Sequence, residues 1–67
     1  MRNGVLGMKC KITHLGVLRE NGLAPATIDD AKFIKSCLDD GIDVYYETNT
    51  LEVFDQKDEY IGDLEKC

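Results

Sequence analysis

The stretch Asp43-Val44-Tyr45-Tyr46-Glu47-Thr48-Asn49-Thr50-Leu51-Glu52-Val53-Phe54 reads as two β-strands folded back on each other. Ile42, Val44, Tyr46 and Thr48 fall on one face and Asp43, Tyr45 and Glu47 on the other, the period of two that a half-buried strand needs. Asn49-Thr50 is expected as a two-residue turn, although Thr in place of the favoured Gly weakens its turn chemistry. That register sets Tyr46 opposite Val53 and Tyr45 opposite Phe54. A further turn over Asp55-Gln56-Lys57-Asp58-Glu59 then brings Tyr60 beside Phe54 and Ile61 beside Val53. Val44, Tyr46, Leu51, Val53 and Ile61 are expected to face a core. Tyr45, Phe54 and Tyr60 share the other face with Asp43, Glu47 and Glu52. Glu47 and Glu52 stand opposite each other, a like-charge pair that costs stability.

Upstream, Thr27-Ile28-Asp29-Asp30 opens a helix. Thr27 is a good N-cap, and two carboxylates in the first turn suit the exposed N–H groups and the helix dipole. Gly41 is its natural stop. Ile28, Ala31, Phe33, Ile34, Cys37 and Leu38 fill an arc of about 220°, wider than the stripe of about 100° that rests on one sheet. Phe33 and Cys37, one turn apart at the edge of this arc, are expected to meet the N-terminal strand or to face a second copy of the chain. Asp39-Asp40 sits at the negative end of the dipole, an unfavourable place that contact with something basic would relieve.

From Met8 to Leu18 the pattern leans toward a strand, with Met8, Cys10, Ile12 and His14 on one face and Lys9, Lys11, Thr13 and Leu15 on the other. Asn21-Gly22 is the strongest short hairpin signal in the chain. Leu23-Ala24-Pro25-Ala26 would return beside the first strand, and Pro25 confines that return to a short edge strand. The expected fold is α+β: one helix on a small antiparallel sheet in the order β-β-α-β-β, with room for one more C-terminal strand. One domain is expected over 1–67, residues 1–7 being read as a loose extension ahead of Met8-Lys9, itself a plausible start.

The chain has 67 residues, with 8 Lys and Arg against 13 Asp and Glu, and three Cys. Domains this small rarely hold a core worth more than about 3–5 kcal/mol, so a staple, a metal or an oligomer comes into question. Residues 1–38 carry Arg2, Lys9, Lys11, Arg19, Lys32 and Lys35 against Glu20, Asp29 and Asp30, a net of +3. Residues 39–67 carry Asp39, Asp40, Asp43, Glu47, Glu52, Asp55, Asp58, Glu59, Asp63 and Glu65 against Lys57 and Lys66, a net of −8. Such a split points to opposed faces or to a partner for the acidic end. It also serves plain solubility. It argues against direct nucleic-acid binding, which draws on many Lys and Arg contacts to phosphate, and places a DNA-binding set of Lys9, Lys11 and Arg19 last.

No stretch reaches the 18–20 or so apolar residues of a membrane span. The first seven residues lack the apolar core of a secretory signal. Cysteines at 10, 37 and 67 form no even framework, which predicts reduced thiols and a cytoplasmic location. Cys10 and His14 are the one metal-like pair at short spacing, on the same strand face; as a thiolate–imidazole nucleophile they are too far apart, since four strand residues span about 13 Å. Zinc sites show two close pairs and Cys37 and Cys67 are far apart in sequence, so no metal and no cofactor is expected, and a buried or half-buried thiol beside a hydrogen-bonded His is preferred. There is no P-loop, Gly-rich dinucleotide turn or Ser-centred elbow, so an enzyme is not expected.

The capped start Thr27-Ile28-Asp29-Asp30-Ala31, leading one helix onto a short antiparallel sheet, resembles small phage and mobile-element inhibitors. Some anti-CRISPR proteins and phage inhibitors of host RNA polymerase are among them. The resemblance implies a stoichiometric inhibitor; such a cap is generic, and it carries no functional residue across. The chain is thus expected to be an acidic, non-enzymatic interaction module that blocks or adapts a larger basic or nucleic-acid-binding protein complex, away from membranes. Tyr45, Phe54 and Tyr60 would anchor the partner, with Asp43, Glu47, Glu52, Asp39 and Asp40 steering it. The rings packing only on each other, or on the C-terminal tail, is the plain alternative. Two further classes stay open: an obligate homo-oligomer held through Phe33 and Cys37 or by edge strands, and a small metal module built on Cys10 and His14.

Overall fold

A computed structural model describes residues 8–67, so the expected extension over residues 1–7 lies outside the described residues. The elements run β1 (Lys9–Ile12), α1 (Leu15–Glu20), β2 (Leu23–Pro25), α2 (Ile28–Asp39), β3 (Val44–Glu47), β4 (Glu52–Asp55) and β5 (Tyr60–Lys66). The fold is α+β, as the patterning predicts: a curled antiparallel five-stranded sheet with two helices. The strand order is β1-β3-β4-β5-β2. Among the described residues no helix is long and apolar enough to cross a membrane.

The N-terminal third departs from the expected β-β-α-β-β order. Only Lys9–Ile12 of the Met8–Leu18 run is strand; Leu15–Glu20 is helix, its Leu18 buried in the core. Asn21-Gly22 is therefore the end of a helix and not a hairpin turn. Gly22 takes a φ of 74°, and its N–H donates to the Arg19 carbonyl at 3.0 Å. β2 does not return beside β1. It pairs with β5, Leu23 opposite Lys66 and Pro25 opposite Leu64, while β1 pairs with β3. The two strands occupy opposite edges of the sheet, and α1 touches both. Pro25 does sit on an edge strand, where its missing N–H leaves no ladder bond unmade.

α2 is capped at both ends by the chemistry its sequence offers. The Thr27 hydroxyl accepts the Asp30 N–H at 3.0 Å. At the other end the Gly41 N–H donates to the Leu38 carbonyl and the Ile42 N–H to the Cys37 carbonyl, with Gly41 at a φ of 77° that a side chain would resist. Ile34 and Cys37 are buried and Ala31 and Leu38 half-buried, whereas Ile28 is 74% and Phe33 51% exposed. The buried stripe is narrower than the apolar arc. α2 lies close on β5 because Gly62 has no side chain: a Cβ there would stand 2.7 Å from Asp30 Oδ1.

Ile12, Leu18, Leu23, Ile34, Cys37, Val44, Tyr46, Val53 and Leu64 form the core, with Leu51 and Ile61 packed partly buried against it. The β3–β4 register is the expected one, Tyr45 opposite Phe54 and Tyr46 opposite Val53. Its connection is wider than a two-residue turn, with Leu51 at a φ of 63° donating to the Glu47 carbonyl at 2.8 Å. Tyr60 pairs with Phe54 as expected, but Val53 pairs with Gly62. Ile61 is the extra residue of a β-bulge, which lets Tyr60 lie beside Phe54 and Gly62 beneath α2.

Candidate functional site

The face of the sheet turned away from α2 carries two rows of side chains that run across the strands. One row is Lys11, Tyr45, Phe54 and Tyr60, neighbours by the register of β1, β3, β4 and β5. The other begins with Lys9 opposite Glu47 and ends with Glu52 opposite Asp63. One further step of the β3–β4 register sets Glu47 beside Glu52. Adjacent strands are about 4.8 Å apart, so three carboxylates stand side by side next to three aromatic rings.

The aromatic row is ordered from within. Phe54 and Tyr60 meet edge to face with ring centroids 6.3 Å apart, a preferred geometry for aromatic pairs. The Lys9 ammonium lies over the Phe54 ring, 4.6 Å from its centroid, and pairs with Asp58 of the β4–β5 turn. Lys11 pairs with Asp43 at 3.4 Å. The Tyr60 hydroxyl donates to Asp63 Oδ2 at 2.6 Å. That hydrogen bond to a carboxylate, with further effects from burial and from the charges of Asp63, Asp30 and Glu52, pushes the Tyr60 phenol up to about 12. In the acidic row, Glu47 Oε1 accepts the Asn49 N–H at 3.1 Å. Among the described residues no ion pair reaches Glu47, Glu52 or Asp63.

Of the residues singled out from sequence, Tyr45, Phe54, Tyr60, Glu47 and Glu52 share this face, and Asp43 stands at its margin. Asp39 and Asp40 do not join them. They end α2, on the opposite layer, where Asp39 pairs with Lys35 at 3.1 Å. Phe33 and Cys37 are likewise separated: Phe33 faces outward and Cys37 is core. Burial first, then the nearby Asp55 and Asp40 carboxylates, push the Cys37 thiol up, away from the thiolate form. Lys9, Lys11, Asp58 and Asp63 are the members that sequence reasoning missed. Alternation along β1 marks both lysines as one face, but only the pairing with β3 shows which face that is.

Cys10 and His14 do not converge on a shared site. Cys10 is half-buried beside the Tyr46 hydroxyl, which accepts from Asn21 Nδ2 at 3.5 Å, and His14 is the exposed residue ahead of α1. Among the described residues no three His, Cys, Asp or Glu side chains gather as a metal would need. An open cleft of about 320 Å³ runs between Thr13, His14, Leu15 and the Lys35, Leu38 and Asp39 side of α2. Its charged rim is closed on itself by the Lys35–Asp39 pair. No protein-family model, curated protein or solved structure matches the chain. The outer sheet face is the surface whose chemistry calls for an explanation.

Proposed function

We propose that this chain is a non-enzymatic interaction module whose outer sheet face binds a larger protein, or nucleoprotein complex, through a basic surface on that partner. One observation carries the reading: Glu47, Glu52 and Asp63 lie abreast beside Tyr45, Phe54 and Tyr60, without a cation of their own among the described residues. Like charges side by side across a sheet cost stability in the free protein. A basic partner reverses the sign of that cost, and the rings provide contact area at its centre. Nucleic acid is disfavoured because Lys9 and Lys11 are outnumbered on the face and already paired. In its sharpest form the module is a stoichiometric inhibitor that occupies its target's nucleic-acid or substrate site. The layout likeness to phage inhibitors adds little, since it assumed a β-β-α-β-β order.

The test is capture from host lysate with the tagged full chain, nuclease treatment and a salt series, set beside the Glu47→Lys/Glu52→Lys variant. A basic protein recovered stoichiometrically by the wild type, released as salt rises and lost by a variant with unchanged far-UV circular dichroism is the expected result. Equal capture by the variant removes this face from consideration. Recovery of the chain alone favours a homo-oligomer, for which α2 offers the exposed apolar groups Ile28 and Phe33.

A further inference from the structure

Lys9 behaves in a way that its register does not require. It stands opposite Glu47 in the β1–β3 pair, yet its ammonium lies over the Phe54 ring and pairs with Asp58, 49 residues away in sequence. A ring face and a carboxylate presented together are the two groups that recognise a cationic side chain. The pair is open to solvent, with Lys9 40% and Asp58 71% exposed, and ion pairs this open hold weakly. The Asp58 backbone does not depend on Lys9 for its position. Its N–H donates to the Asp55 carbonyl at 2.9 Å, and Asp55 Oδ1 accepts from the Lys57 and Glu59 N–H groups at 2.8 and 3.0 Å. The turn is thus built by its own hydrogen bonds and keeps the Asp58 backbone beside the Phe54 ring's strand when Lys9 leaves.

We infer that Phe54 and Asp58 form a cation subsite, filled by the chain's own Lys9 in the free protein and taken over by an arginine of the partner on binding. The inference rests on the reading of the outer face as a site for a basic partner. Arginine suits the subsite better than the lysine it displaces. Its planar guanidinium covers a ring while its in-plane donors reach a carboxylate as a fork, whereas an ammonium is a compact point charge that hydrates strongly. Lys9 therefore competes with the partner and restricts binding to ligands able to displace it.

The experiment titrates a fluorescent hexa-arginine peptide with the full chain at low ionic strength, for the wild type and for variants checked by circular dichroism. Lys9→Met is expected to bind about fivefold more tightly than the wild type, because the subsite is vacated. Lys32→Met removes the same charge from α2, on the other side of the sheet, and is expected to gain less than about twofold through long-range attraction alone. Adding Asp58→Asn or Phe54→Leu to Lys9→Met should erase the gain. Equal gains for Lys9→Met and Lys32→Met, a gain that survives both additions, or no measurable binding by any form would each overturn the inference. The Glu47→Lys/Glu52→Lys capture experiment separates the two failures. If that variant loses the partner while Lys9→Met behaves like Lys32→Met, the subsite is wrong and the face reading stands. If it keeps the partner, the face reading fails as well.

Discussion

The two faces of one sheet are built on opposite terms. On the inner face Ile12, Val44, Val53 and Leu64 lie against Ile34 and Cys37 of α2, with exposures of 0–7%. Every group there gains from its neighbours. On the outer face, residues from the same strands stand in rows that set carboxylate beside carboxylate, and among the described residues the lysines of β1 supply the opposite charge. The inner face holds the buried core, and the outer face sets like charges abreast, an arrangement that costs stability. In a chain this short, surface that does not serve stability is the place to look for function.

The sharpest test of that contrast uses neighbours on β1. Ile12 is 1% exposed and faces the core, while the Lys11 side chain is 51% exposed and faces out. Ile12→Ala should cost about 2–5 kcal/mol, enough to unfold most of a domain this size. Lys11→Ala should change stability by no more than about 1 kcal/mol, as loss of an exposed ion pair does. Urea titrations of both variants check this, and similar losses would erase the distinction between the faces. Gly62 probes the join between sheet and helix. Gly62→Ala should cost about 1–3 kcal/mol because its Cβ meets the Asp30 side chain, and Asp30→Ala in the same chain should return part of that.

The smallest effect is the pH response of Tyr60 on the outer face. Its folded pKa is raised to about 12 by the hydrogen bond to Asp63, while an unfolded tyrosine titrates near 10. Its contribution is therefore fully present below about pH 10 and is lost as the pH rises toward 12. Absorbance titration near 295 nm should show a late phenol that Asp63→Asn moves to lower pH. An unmoved titration would mean that the Tyr60–Asp63 bond is absent in solution.

What could be read from the sequence divides along the same line as local and distant pairing. The β3–β4 register was legible because a hairpin closes over a few residues and its alternation can be checked directly. With it, and with the turn that brings Tyr60 beside Phe54, came five members of the outer face. α1 was not legible: six residues make fewer than two turns, below the 11–18 or so over which a helical period shows itself. The instructive case is Asn21-Gly22 beside Asp40-Gly41. Both pairs end helices with glycine at positive φ, and only the second follows a run long enough to announce a helix. The same dipeptide after a short run of alternating residues reads as a hairpin. The pairing of β1 with β3 is set by tertiary contacts, so the two lysines it brings to the face escaped a reading that worked from neighbours outward.

The strand order also sets a sequence of events. The centre of the sheet is the β3-β4-β5 meander, whose connections are short, while both edges come from the first 25 residues of the chain. Loop-closure entropy favours the meander forming first, with β1 and β2 docking on its two sides afterwards. On the ribosome those two strands emerge before anything they can pair with exists. β1 can therefore pair only once β3 is made and β2 only once β5 is made, so the lysines of β1 join the aromatic face after the strands that carry its rings.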